Sequence, residues 1–233
     1  MRLIPVLLLI GPAALAQFTA TVVTTYTDDD GGTTQFREDF YRSKNGSYVR
    51  SEETEAYDGE RGIRRTVVDV SSRSMTTIDS FTHSIEIRAN LDETDFRKFP
   101  EPFGSCGLLS DGTWKPIRVS GMLGFKVIEV EQPMSANAGA RLWVAPELGC
   151  FPLLDLYMEK GETRTKREVV SVTPGDPDPV VFQVPSGYIE VGPLQFETLW
   201  KKRFHGRSYA GDRDAAKAEL AYQAAKARSS RRE

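Results

Sequence analysis

The stretch from Phe18 to Arg88 repeats one device: a short run of β-branched and aromatic residues, then turn chemistry. FTATVVTTY (18–26) is dense in Val and Thr, which fit a pleated, half-buried surface. TDDDGGT (27–33) follows as a turn. TQFREDFYRSK alternates Phe36 and Phe40 with charged positions, and Asn45-Gly46 is a strong hairpin signal. SYVRSEETEAY, RRTVVDVSS and SMTTIDS continue the pattern, with a tight turn at Ser72-Arg73 between the last two. FTHSIEIR sets Phe81, His83, Ile85 and Ile87 against Thr82, Ser84, Glu86 and Arg88. Period-two alternation of this kind predicts an antiparallel sheet with one apolar face and one wet face. It places His83 on the apolar face between Phe81 and Ile85, in a core or cross-strand role.

The middle of the chain breaks and then resumes this pattern. NLDETDFRKFPEPF (90–103) offers Asn90 as a cap and Pro100 as a stop, which predicts a short helix or turn. WKPIRVSGMLGFKVIEVEQP returns to strands. In RLWVAPELGCFPLLDLYMEK (141–160), Arg141 to Val144 reads as a strand and Pro146 to Gly149 as its turn. Phe151 to Met158 reads as the next strand, apolar on both sides and therefore covered on both sides, by a lid or by a ligand. ETRTKREVVSVT is a further strand, PGDPDP (174–179) is loop, and VVFQVPSGYIEV closes the body with Pro185 and Gly187 between its halves. RDAAKAELAYQAAKAR (213–228) is Ala-rich and capped by Asp212, a weakly amphipathic helix.

MRLIPVLLLIGPAALAQ has the shape of a secretory leader: Arg2, an apolar run from Leu3 to Ile10, and small residues at Ala14 and Ala16. The run is too short to span a bilayer, which takes about 20 residues. The expected organisation is a leader over 1–16, a β body over 17–196 and a basic helical tail over 197–233, in the periplasm or outside the cell. The tail holds ten Lys/Arg against five Asp/Glu, a net of +5, whereas 17–196 carries −9. The body would repel polyanions, and only the tail could meet an anionic membrane surface. An exported location and sparse tail aromatics argue against nucleic acid. The two cysteines, Cys106 and Cys150, match no metal or redox spacing. In an oxidising compartment they are expected to form a bridge, stabilising by about 4 kcal/mol on the chain-entropy model.

No segment carries a recognisable reaction. There is no phosphate-cradling G-x-x-x-x-G-K-[ST], no dinucleotide G-x-G-x-x-G and no nucleophile elbow. DDDGG (28–32) lacks the ligand ladder of a calcium loop. His83 and His205 have no cysteine or carboxylate at ligand spacing. The expectation is a non-enzymatic protein with no catalytic residue, no metal and no cofactor.

The wording of residues 121–192 gives a more specific pointer. GFKVIEVE leads into RLWVAPELGCF, then a hairpin, the acidic Pro-rich turn and FQVPSGY. In this arrangement the chain resembles uncharacterised bacterial exported proteins that are similar to the LolA-like group of periplasmic lipoprotein carriers. The resemblance implies a mainly β fold: a strongly curved antiparallel sheet, an unclosed barrel, with short covering helices. It also implies an activity, the sheltering of an apolar ligand such as a lipid or lipoprotein acyl chain, for which Trp143, Phe151, Leu153 and Tyr157 are the expected contacts. The alternative is an interaction module that docks to an envelope protein through its sheet or basic tail.

Overall fold

Turn chemistry sets the register of the sheet, and its strands come in two runs. In the computed structural model, residues 17–56, 59–91 and 114–203 are described, with 219, 220, 222, 223 and 227. The first run is β1 (Phe18–Thr27), β2 (Thr33–Arg42), β3 (Tyr48–Glu55), β4 (Arg61–Asp69), β5 (Ser74–Asp79) and β6 (Ser84–Arg88). The second is β7 (Lys115–Met122), β8 (Phe125–Pro133), β9 (Ala138–Ala145), β10 (Phe151–Glu159) and β11 (Glu162–Pro174). Leu123-Gly124 and Lys160-Gly161 close two of its hairpins with both residues at positive φ, the two-residue turn whose twist matches paired strands. A three-residue strand, β12 (Ile189–Val191), and a helix, α1 (Pro193–Arg203), follow, and short 3-10 helices lie at Pro146–Leu148 and Pro179–Phe182.

All twelve strands form one sheet in the order β12-β6-β5-β4-β3-β2-β1-β11-β10-β9-β8-β7. The two runs meet where β1 pairs antiparallel with β11, from Phe18 opposite Pro174 to Tyr26 opposite Thr165. Among the described strands only β12 is parallel to its neighbour, β6. The sheet does not close: β12 ends one side and β7 the other.

The sheet is nevertheless tightly curled. Phe40 on β2 and Phe151 on β10 lie three strands apart, about 14 Å in a flat sheet. Their ring centroids are 4.9 Å apart. Arg42 on β2 reaches still farther, to the carbonyl of Leu148 beyond β9 at 3.5 Å. The face carrying these residues is therefore the concave one. The fold is the mainly β, strongly curved and unclosed sheet expected.

Two expectations need correction. The strand predicted over 81–88 begins only at Ser84: Phe81 to His83 form a turn, and His83 sits exposed at φ 48° with its ring 5.8 Å from that of Tyr188. It is no core histidine, because the chain reverses there and its side chain leaves the sheet face. The wet face also fails at this end of the sheet. Ser84 and Glu86 are buried on the concave side, beneath α1, while Val49, Val67, Ile78 and Ile85 are buried on the convex side. The convex cover comes from the segment after β11, whose Val181, Phe182 and Tyr188 pack there. The chain thus passes behind the sheet, pairs as β12 at its edge and folds back over the front as α1. The helix runs across the expected body–tail boundary at 196/197. The helix or turn expected over 90–103 and the leader over 1–16 lie outside the described residues, as does most of the 213–228 helix.

Candidate functional site

The concave face begins with an aromatic floor. Phe18, Phe40 and Phe151 form a triangle with centroid separations of 5.7, 5.0 and 4.9 Å, and Tyr48 stacks on Phe40 at 5.7 Å. Val22, Val68, Met75, Val127, Leu148 and Leu153 fill the space around them. Four residues of this cluster are only partly buried: Met122, Phe125, Trp143 and Val172. They are the partly exposed apolar margin, or rim, of an otherwise closed floor.

The four expected contact residues separate accordingly. Phe151 and Leu153, both 0% exposed, belong to the floor, and Trp143 belongs to the rim. Phe151 and Leu153, two positions apart on β10, share the face of this cluster, and a bulge between Pro152 and Leu154 shifts the register with β9. Tyr157 is half-buried farther along β10, opposite Thr165 and Ala140, and lies outside this cluster.

Beside the floor, sequence reasoning missed a strip of alternating charge. Glu38 accepts from Arg167 at 2.7 Å and pairs with Arg50 at 3.0 Å. Arg50 also meets Glu52 at 2.9 Å, and Glu52 pairs with Arg64. Trp200 of α1 covers the Arg64 guanidinium at 5.1 Å, and Arg167 lies 5.8 Å from the Phe151 centroid. Burial pushes the Glu38 carboxyl up, but Arg167 and Arg50 outweigh it and hold Glu38 below the usual carboxylate range. Burial dominates at Asp155, raising its carboxyl despite the opposing charge of Arg167. Such pairs tolerate loss of one partner poorly, since the survivor is left charged in a dry site.

Arg42 shows how closely the second run folds over the first. It is 2% exposed, and the loop carbonyl it meets precedes Gly149. A Cβ on Gly149 would lie 2.6 Å from Arg42 Nη1, and Gly149 has φ 69°. Glycine is required there twice over, for the close approach and for the left-handed backbone.

At the other end, Phe196 and Trp200 of α1 bury themselves with Ala56 and Val191, and Phe81 and Leu199 pack alongside. The helix was legible in hindsight: Pro193 suits a first helical position, and Phe196, Leu199 and Trp200 fall at i, i+3 and i+4. From the C-terminal segment, Glu219 accepts from the Leu194 amide at 3.2 Å, and Tyr222 donates to Glu190 at 3.0 Å.

Cys150 is buried in a convex-side cluster with Ile128, Val130, Leu142 and Val144, with Trp114 against it. No free cysteine occurs among the described residues. Cys106, its expected partner, lies outside them, as does His205. Among the described residues no group of three or more His, Cys, Asp or Glu could hold a metal ion. An open, mixed-polarity depression of about 520 Å³ lies at the tips of the second run, between Gln132, Asn137, Arg141, Met158 and Lys160.

No protein-family model and no curated protein matches this chain. Solved structures do. The chain is similar to an uncharacterized conserved protein from Thermus thermophilus, at 11% identity and a TM-score of 0.49, over 76% of this chain and 90% of that one. It is similar to the MucA/MucB complex of Pseudomonas aeruginosa, at 14% identity and a TM-score of 0.38, over 77% of this chain and 60% of that one. It is also similar to a LolA superfamily protein from Nitrosomonas europaea, at 11% identity and a TM-score of 0.34, over 73% of this chain and 91% of that one.

Proposed function

We propose that this protein is an exported, non-enzymatic carrier that shelters an apolar group, such as a lipid or lipoprotein acyl chain, against the concave face of its sheet. The observation that carries the reading is that Met122, Phe125, Trp143 and Val172 stay only partly buried at the margin of an otherwise closed aromatic floor. A continuous apolar surface with a partly wet margin gains from a guest that completes its burial, at about 25 cal/mol per Å². The floor itself, with Phe151 and Leu153 inaccessible, acts as a wall that fixes the curvature. The leader-like N-terminus supports a location outside the cytoplasm, and no helix among the described residues is long and apolar enough to cross a membrane.

A fluorescent fatty-acid analogue titrated into the full chain tests this reading. Saturable binding, competed by unlabelled palmitate and weakened about tenfold in Trp143→Ala through loss of about 1.5 kcal/mol of apolar contact, is the expected outcome. Absence of saturable binding by a folded wild type would contradict it.

A second reading, an interaction module for an envelope protein, is favoured by β7. That strand ends the sheet and leaves Ile117 and Val119 about half exposed. An open edge of this kind accepts an added strand from another chain. Pull-down from an envelope extract, lost when Val119 is replaced by Pro while fatty-acid binding persists, would favour this second reading over the first.

A further inference from the structure

Two carboxylates are sealed between α1 and β6. Glu86, 1% exposed, projects from the concave side of β6 opposite Thr77 of β5 and Val191 of β12. Glu197, 3% exposed, is on the helix packed over it. Glu86 Oε1 accepts from Arg88 Nε at 2.6 Å, whereas Oε2 is buried with no hydrogen-bond partner. From the helix, Lys201 Nζ lies 3.8 Å from Glu197 Oε1. From the C-terminal segment, Glu219 sits against Gly192 and accepts from the Leu194 amide. From the neighbouring strands, Asp79 and Arg64 share the concave side with Glu86, and Glu190 lies on β12. Among the described residues the interface therefore seals Glu86, Glu197 and Asp79 in a dry space, with Arg88, Lys201 and Arg64 as the cations beside them, and a charged, unsatisfied oxygen is costly there.

We propose that docking of α1 on β6 is linked to protonation of Glu86. Closing the helix takes up a proton, which removes repulsion from Glu197 and turns the unsatisfied carboxyl oxygen into a donor. The helix therefore holds more tightly below the raised value of the Glu86 carboxyl and loosens as pH rises through it. Burial is the main cause that raises the Glu86 carboxyl, Arg88 opposes it, and Glu197 and Glu219 raise it further. The sign follows from linkage: a raised folded value gives stabilisation that is full below the ordinary carboxylate range. It is lost as pH rises through the raised value. Loosening uncovers Val191, Ala56 and the Arg64 end of the charged strip, so ambient pH would set how far this end of the concave face is closed. The inference stands independently of whether an acyl chain occupies that face.

Hydrogen exchange of the full chain, read by mass spectrometry between pH 5 and 8 and corrected for intrinsic rates, tests it. Opening of α1 is expected to increase with pH by up to about tenfold per unit, the limit for one linked proton, and then level off. Glu86→Gln should flatten this dependence while the helix stays docked. Should that variant fail to fold, Glu197→Gln should move the transition to lower pH. A pH-independent α1 in the wild type, an unchanged slope in Glu86→Gln, an unmoved transition in Glu197→Gln, or equal behaviour of β1 amides would overturn the proposal.

Discussion

Among single residues, Glu38 ties the concave face together by joining Arg167 of β11 to Arg50 of β3 across two intervening strands. Glu38→Gln should destabilise the protein by about 3 kcal/mol at neutral pH, because two arginines lose their buried counter-charge. Because the Glu38 carboxyl is held low, its stabilisation is present above the ordinary carboxylate range and lost as pH falls through the lowered value. Urea unfolding from pH 7 downward checks this: the difference between wild type and variant should be largest at neutral pH and shrink as pH falls through the lowered value. Nothing in REDF or RSEE announces such a role. Alternation tells which residues share a face, so Glu38, Arg50 and Glu52 were readable as neighbours. It does not tell that the face curls inward and dries them. Cys150 presents the opposite case, a residue whose chemistry is legible while its partner lies outside the described structure. The bridge to Cys106 remains a proposal. Thiol labelling of the denatured, unreduced protein should find no reactive thiol, and two reactive thiols would refute it.

Local chemistry settled most strands and turns, and it failed where tertiary packing intervened. Asn45-Gly46 between β2 and β3, and the β10–β11 segment, follow from their residues because alternation and turn preference act over a few positions. FTHSIEIR misled because a perfect period-two pattern can run through a turn: His83 at positive φ breaks the strand without breaking the pattern. Helix α1 was masked by the preceding loop and by the charged KKR that ends it. Its anchor is Trp200, buried in the α1 cluster and stacked over Arg64. Trp200→Ala should cost about 3 kcal/mol of helix docking, from the cavity and the lost cation–π contact. Faster exchange confined to α1 and its β6 contact, with β1 protection intact, is the expected signature.

For the molecule as a whole, the charged strip and the aromatic floor divide the concave face into two regions with different roles. The strip and α1 fix the β3–β6 end, where polar groups pair and the helix covers them. The floor and rim occupy the β1, β2, β8–β10 side, where the apolar margin stays partly wet. The antiparallel strands were legible in the sequence from alternation and turn chemistry, whereas the strongly curved, unclosed form was expected only from the resemblance carried by residues 121–192. Which aromatics stay reachable was not legible, since Trp143 and Phe151 read alike as letters and only curvature buries Phe151 fully and Trp143 in part. The carrier reading is tested most directly by native mass spectrometry and lipid extraction of the protein purified from the envelope of cells that make it. A co-purifying apolar molecule of lipid mass, released when the protein is denatured, is the predicted result. A folded protein at its bare polypeptide mass, with a lipid-free extract, would contradict the account.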